Sequence, residues 1–374
     1  VSAESLATQL KAGLDAPICL TWELTYACNL ECVHCLSSSG RRDPRELSTN
    51  EAKRVLDELR DLQVFYINIG GGEPMVRRDF FELIEYSVAQ GIGVKFSTNG
   101  AFIDATNARR LAAMDYLDIQ LSLDGADAVT NDAVRGLGSF DAVRRAIDHL
   151  VAARFVEQRG PFKISVVATR HNVDQLDRFK ELADSCGAQL RITRLRPSGR
   201  GADTWHDLHP TNAQQRQIYQ WLLAHGEAVL TGDSFFHLNA LGDPLPGLNL
   251  CGAGRVVCLI DPLGDVYACP FVIHQEFLAG NVRDPGGFSR VWRNSELFRS
   301  LREPQSAGAC ASCGSFDACQ GGCMAAKFFT GMPLDGPDPE CVTGHGEPGI
   351  NRAGAPQPSH DHSKPRRLIP VTAG

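Results

Sequence analysis

The stretch "CNLECVHC", residues 28 to 35, holds three cysteines separated by gaps of three and then two residues, with no fourth cysteine nearby. Thiolates are soft donors that select zinc or iron–sulfur centres. A structural zinc site takes four protein ligands. The candidate fourth ligand, His34, is adjacent to Cys35, which makes joint ligation awkward. A [4Fe–4S] cubane takes one ligand per iron, so three thiolates leave one iron open to a small chelating molecule. A second cysteine field fills the last third of the chain. Cys310, Cys313, Cys319 and Cys323 have gaps of two, five and three, and Cys341 follows after seventeen more residues. Upstream, Cys251, Cys258 and Cys269 are separated by six and ten. Eight thiolates divide evenly into two four-ligand sites, and two zinc sites satisfy that count as two clusters do.

The chain that must position these eleven cysteines has 374 residues, 43% hydrophobic, enough for one large domain and a smaller one. Its net charge of −7 excludes a generic electrostatic grip on nucleic acid. No apolar run approaches the length of a membrane span, and the N-terminus lacks a signal-peptide core. The expectation is a soluble, cytoplasmic protein without membrane or nucleic-acid partners. In that reducing compartment metal ligation explains the cysteines better than disulfides do. Cys19 and Cys186 stand outside both fields and read as small buried hydrophobes.

From about residue 18 to 196, β-branched runs alternate with helical patterns. "ICLTWEL", "VFYINIG", "GVKFSTNG", "YLDIQLSLDG", "KISVVAT" and "QLRITRL" read as strands, with amphipathic helices between them. Six such units predict an α/β fold: a parallel sheet with right-handed crossovers, forming a partial (β/α)6 barrel. "GGGEP", "STNG" and "SLDG" follow the strands, as does the three-cysteine loop, so one rim collects the unusual polar residues. "QQRQIYQWLLAHGEAVL" reads as a helix leaving the barrel. The expected organisation is an N-terminal segment over 1–17, the barrel over 18–235, a loop-heavy cysteine-rich domain over 236–345 and a disordered tail over 346–374. The cysteine-rich part has too few apolar runs to build much core by itself, so metal sites are expected to hold it together.

Cys-x3-Cys-x2-Cys after the first strand of a partial barrel resembles the radical S-adenosylmethionine (SAM) enzymes. The resemblance implies that Cys28, Cys32 and Cys35 hold the catalytic [4Fe–4S] cluster. Methionine of SAM then chelates the open iron, and reduction releases a 5′-deoxyadenosyl radical. It further implies that His34 lies against adenine. Gly71 and Gly72 of "GGGEP" allow close backbone approach, and Glu73 accepts from the methionine ammonium. Ser122 and Arg135 hold the methionine carboxylate, while Asn99 and Leu195 lie near ribose and adenine. From the residues alone, Asn99 is equally a turn residue and Arg135 equally a surface one.

The second field closely resembles the SPASM extension of these enzymes, which carries two auxiliary [4Fe–4S] clusters. Position by position, Cys251, Cys258, Cys269 and Cys323 would ligate one, and Cys310, Cys313, Cys319 and Cys341 the other. Together with the first cluster this makes three. Most relatives with SPASM modify peptides or proteins. Sulfatase maturases carry an Asp directly after the third upstream cysteine, where this chain has Pro270.

To about residue 345 the sequence is similar to the mycofactocin radical maturases. That family acts on a precursor peptide ending in Val-Tyr. It oxidatively decarboxylates the tyrosine and then joins valine to it through a carbon–carbon bond. Two partners are expected as well: a separate small peptide-chaperone protein and an external low-potential electron donor. Arg194, Arg196 and Arg200 of "RLRPSGRG" are candidates for a terminal carboxylate or, alternatively, solvated surface residues. Another SPASM enzyme (thioether-forming or sulfatase maturase) and a zinc-stapled scaffold without activity are the competing readings.

Overall fold

The structure is a computed structural model describing residues 9–346, apart from 11, 232–234, 248–250 and 304–307. The expected boundary near 235 adjoins one omitted stretch, and nearly all of the expected tail lies outside the described residues. Six parallel strands fall within the six predicted runs. They are β1 (Cys19–Glu23), β2 (Tyr66–Gly70), β3 (Gly93–Thr98), β4 (Leu117–Ser122), β5 (Lys163–Ala168) and β6 (Gln189–Arg194). Helices Thr49–Asp61, Phe80–Ala89, Ala105–Ala112, Ser139–Ala152 and Leu176–Ser185 cross between them. Each turns an apolar stripe to the sheet, as with Ala52, Val55, Leu56 and Leu59 in the first. That helix starts where the sequence signals it: Ser48 and Glu51 form a reciprocal capping box.

The strands alternate in a way that decides what the barrel holds. Val94, Phe96, Ile119, Leu121, Leu190 and Ile192 are buried in the main core, toward the helices. Their neighbours Lys95, Ser97, Gln120, Ser122, Arg191 and Thr193 line an interior cavity. Successive side chains in a strand point to opposite faces, so the barrel has an apolar outer layer and a polar bore.

Two features differ from expectation. The helix Asn212–His225 does not carry the chain away from the barrel. It leads instead to β7 (Val229–Thr231), which pairs parallel with β6 through Leu190↔Val229. The cysteine-rich region, in turn, does not stand apart. Its strand β8 (Val257–Ile260) pairs parallel with β1, placing Cys258 beside Leu20. Strands β9 (Asp265–Tyr267) and β10 (Leu278–Asn281) continue the same ten-stranded sheet. Val266, Phe288 and Trp292 therefore belong to one apolar cluster with Trp22 and Phe96. A region with few apolar runs gains a core by joining the barrel's open edge.

Candidate active site

The three-cysteine loop is fixed from three sides. Its base is closed by Cys28 N–H donating to Gly40 O at 3.0 Å. The Glu46 carboxylate accepts from Thr25 Oγ1 and Tyr26 N–H, each at 2.9 Å. Val33 N–H donates to Val134 O at 3.0 Å, tying the loop to the helix Ala128–Arg135. Arg200 donates to Cys32 O at 2.9 Å and Ser39 O at 2.7 Å, and its own N–H donates to Cys35 O. Cys32 and Cys35 thus stand on a backbone whose carbonyls are already engaged. Burial pushes the Cys28 thiol up to about 12 and raises that of Cys32. Thiols in this setting ionise when a cationic centre supplies the compensating charge.

Beside the loop, Asp124 joins two of the residues singled out by resemblance. Its Oδ2 lies 2.7 Å from His34 Nε2 and 2.6 Å from Arg135 Nε. Burial opposes ionisation of Asp124, but Arg135 and then His34 hold its carboxyl below the usual carboxylate range. Arg135 is buried, which removes the surface alternative. Asp124 itself was missed, although it sits in the quoted "SLDG".

The "GGGEP" loop approaches the cysteine loop so closely that only glycine fits. A Cβ on Gly72 would stand 1.9 Å from Ala27 O, and Gly71 adopts φ +104° against Thr25 O. Glu73 is buried and accepts from Asn99 N–H at 2.8 Å and Thr98 Oγ1 at 2.9 Å. Its desolvation pushes the carboxyl up to about 7 against those bonds. Asn99 serves as the turn residue that the sequence also allows. Its Oδ1 accepts from Ala101 N–H in a turn, while Nδ2 donates to Asn29 Oδ1 beside Cys28.

His34, Arg135, Gly71, Gly72, Glu73 and Asn99, with Ser122 and the buried Leu195, line one cavity of about 510 Å3. It runs from the thiols of Cys28, Cys32 and Cys35 down the polar bore to Tyr66, Lys95 and Arg191, and along a wall of Val257, Pro270 and Phe271. That wall flanks Cys258 and Cys269. Buried Glu23 Oε2, His34 Nδ1 and Ser39 Oγ border the cavity without hydrogen-bond partners, so the pocket offers polar atoms as well as thiols. The site fits a thiolate-bound cluster with a polar, chelating ligand beside it.

The arginines of "RLRPSGRG" do other work than expected. Arg194 is buried in a fork with Asp338, at 2.9 Å from Oδ2, and is paired also with Glu340. Arg196 stacks on Phe271, its guanidinium carbon 3.3 Å from the ring centroid. Arg200 braces the cysteine loop. Both earlier readings, terminal-carboxylate ligand and solvated surface residue, fail for Arg194, since a buried guanidinium needs paired anions and has them.

A second cavity, of about 560 Å3, is lined by Cys310, Cys313, Cys319 and Cys341, the four residues that resemblance groups together. Cys319 closes the short helix Phe316–Cys319, and Cys323 follows only after Gly321 and Gly322. A Cβ on Gly322 would meet Asp338 Oδ2 at 2.2 Å. This glycine lets the chain reverse, so that Cys323 N–H donates to Asp338 at 2.7 Å and Cys323 packs in the core with Cys258. The β8–β9 hairpin brings Cys258 and Cys269 to the same end. Cys251 lies near enough to Cys323 for their charges to interact. Among the described residues no three Cys, His, Asp or Glu side chains converge as a single-ion site.

The sequence matches the radical SAM superfamily over residues 22–183 and the SPASM iron–sulfur cluster-binding domain over residues 251–314. It is 68% identical over 369 residues to mycofactocin maturase MftC of Mycolicibacterium smegmatis, covering 98% of this chain and 93% of that protein. The chain belongs to the mycofactocin maturase family. Identity to the Mycobacterium tuberculosis maturase is 66%, over 98% of this chain and 94% of that protein. The maturase fold is shared with Streptococcus suis SuiB bound to precursor peptide SuiA, with a TM-score of 0.68 at 18% identity. That match covers 88% of this chain and 77% of SuiB. Among the described residues no maturase helix is long and apolar enough to cross a membrane. In this radical SAM enzyme, Cys28, Cys32 and Cys35 stand on the barrel rim and Cys258 lies in the strand that pairs with β1 at the adjoining edge.

Proposed function

We propose that this chain oxidatively decarboxylates the C-terminal tyrosine of a precursor peptide ending in Val-Tyr, acting as oxidoreductase and lyase, and then links valine to the former tyrosine. When bound, SAM and three [4Fe–4S] clusters supply the chemistry: a 5′-deoxyadenosyl radical that removes hydrogen from the peptide, and acceptors for the electron released. Cys28, Cys32 and Cys35 would hold the reactive cluster. Cys251, Cys258, Cys269 and Cys323 would hold one auxiliary cluster, and Cys310, Cys313, Cys319 and Cys341 the other. Gly71 and Gly72 let the backbone approach SAM, with Glu73, Asn99, Ser122, Arg135, His34 and Leu195 around it. Asp124 fixes the orientation of His34 and Arg135.

The carrying observation is the single cavity joining the three thiols to a wall that flanks Cys258 and Cys269. A peptide end in this bore lies between the two cysteine groups. Removing hydrogen from tyrosine Cβ, then CO2 and one electron, leaves a carbon–carbon double bond. The Val257–Pro270–Phe271 wall would separate the peptide from Cys258 and Cys269, which would hold an acceptor for that electron. Pro270 offers no proton-accepting group, which disfavours the sulfatase-type alternative. Valine Cβ, stripped of its hydrogen, then adds to the double bond, and the resulting radical takes up one electron and one proton. The polar bore orients the peptide and keeps reactive carbon from bulk water. A low-potential donor supplies electrons from outside, and a small chaperone protein presents the peptide in the reducing cytoplasm.

The test is anaerobic incubation of the reduced, cluster-loaded chain with SAM, the chaperone and a Val-Tyr-ended precursor. Mass spectrometry is expected to find 5′-deoxyadenosine and a peptide lacking CO2 and two hydrogens. Intact peptide beside cleaved SAM overturns the substrate assignment.

A further inference from the structure

We infer that the buried ammonium of Lys327 is the shared countercation of the two auxiliary cysteine sets, a positioning residue that makes the centre in each set easier to reduce. The inference rests on the cluster assignment proposed above and adds the group that fits both centres to take up an electron.

Lys327 stands on the helix Met324–Phe329, one turn beyond Cys323, whose carbonyl accepts from its N–H at 3.1 Å. The residue is buried, with 6% of its surface exposed. Its ammonium donates to Leu334 O at 2.5 Å and to Gly336 O at 3.3 Å. A Cβ built on Gly321 would lie 3.6 Å from Nζ. Gly321 belongs to the turn between Cys319 of one set and Cys323 of the other, and it borders the second cavity. The charge of Lys327 acts on both Cys310 and Cys251, one thiol from each set. Both acceptors of the ammonium are neutral carbonyls, and among the described residues no carboxylate pairs with it. Neighbouring charges differ in this respect. Arg194, near Cys323, is offset by Asp338 and Glu340. Arg255 lies half-buried against the Cys251 carbonyl. Asp335 also acts on Cys310, but it is exposed to solvent that screens it.

A lysine is rarely this buried unless paired, because carbonyls replace its water but supply no countercharge. The anions that complete the site are the thiolates themselves. Four of them outweigh the positive core of a cubane, so each loaded set is a buried anion. A fixed cation between two such anions stabilises each more strongly once it has gained an electron, and cluster potential follows net local charge. Lys327 therefore favours electron uptake at both sets, from a position outside the rim cavity.

The experiment is a redox titration of the cluster-loaded full chain, followed by electron paramagnetic resonance, as wild type, Lys327→Gln and Lys327→Arg. Iron is counted in each sample. In Lys327→Gln both auxiliary midpoints are expected to fall. At the wild-type midpoint the reduced-to-oxidised ratio of each drops at least about tenfold, which is about 59 mV for one electron. The cluster on Cys28, Cys32 and Cys35 is expected to keep its midpoint, and Lys327→Arg to restore both auxiliary ones. Loss of auxiliary iron confined to Lys327→Gln supports the same role, because the arginine variant keeps the charge. Unshifted midpoints in Lys327→Gln, a shift at one auxiliary centre alone, or equal loss of iron in both variants overturn the inference. A wild-type chain that loads only about four irons instead of about twelve contradicts the cluster assignment, and the inference falls with it.

Discussion

The two cysteine-lined cavities are nearly equal in volume, about 510 and 560 Å3, but differ in what surrounds their thiols. The rim cavity has three cysteines on a braced loop, the buried Asp124–His34–Arg135 group and a polar bore behind them. The second has four cysteines on turns and a four-residue helix, with Asp338 at its edge. A centre with a full set of protein ligands is closed, whereas one a ligand short keeps a position for chemistry. The difference teaches that the rim invests its structure in holding neighbours in place. The second cavity gives its cysteines little regular structure beyond what a bound centre would add.

Cysteine replacement breaks the comparison most strongly. Each loaded chain is expected to hold about twelve irons, four per cubane. Cys28→Ala and Cys310→Ala should each lose about four. Cys28→Ala abolishes SAM cleavage while thermal unfolding shifts by only a few degrees, because the loop keeps its backbone bonds. Cys310→Ala lowers the unfolding midpoint by more than about 10 °C, since a metal site there is folding energy. Iron analysis and calorimetry on the same samples check both, and equal midpoints would erase the distinction.

Asp124→Asn comes next. It leaves Arg135 buried without its anion, and losing one partner of a buried pair costs about 3–5 kcal/mol. SAM binding should weaken by more than tenfold in equilibrium titration. Asp61→Asn, on an exposed pair with Arg60, should shift neither quantity measurably.

The third prediction concerns pH. The Glu73 carboxyl is raised from 4.5 to about 7 by burial. The folded state therefore binds more protons than the unfolded one between those values, and stability falls as pH rises through that window. Asp124 and Asp338 are shifted the opposite way, so their contribution is present above the ordinary carboxylate range and lost as pH falls. In the metal-free chain, Glu73→Gln should flatten the decline between pH 4.5 and 7 by about 2–3 kcal/mol, measured by urea unfolding. An unaltered slope would mean that Glu73 ionises normally. The smallest effect belongs to a pair far from either cavity. Arg110–Glu85, half-exposed on both sides, should give less than about 1 kcal/mol on Arg110→Ala.

Much of this was legible in the sequence, and for physical reasons. Parallel strands covered by helices need continuous β-branched and apolar positions, so all six barrel runs were found. The division of the eight downstream cysteines into two sets came from resemblance to the SPASM extension. Its crossed order, with Cys323 grouped with Cys251, Cys258 and Cys269, follows from no interval in the sequence. The bore was legible too but went unread. In "GVKFST" and "QLRITR" polar residues alternate with apolar ones, and helix-covered strands can turn those polar residues only inward. What no local pattern could give is pairing at long range. Arg194 meets Asp338 across 144 residues, and Tyr26 donates to Asp261 at 2.6 Å across 235. The same holds for β8, whose place beside β1 depends on the barrel's unpaired edge rather than on its own four residues.

The most direct test of the central claim labels tyrosine Cβ of the Val-Tyr peptide with deuterium and follows that label through one anaerobic turnover. The account predicts deuterium in 5′-deoxyadenosine together with loss of CO2 from the same peptide. Unlabelled 5′-deoxyadenosine beside a peptide that keeps both its deuterium and its carboxylate would contradict it.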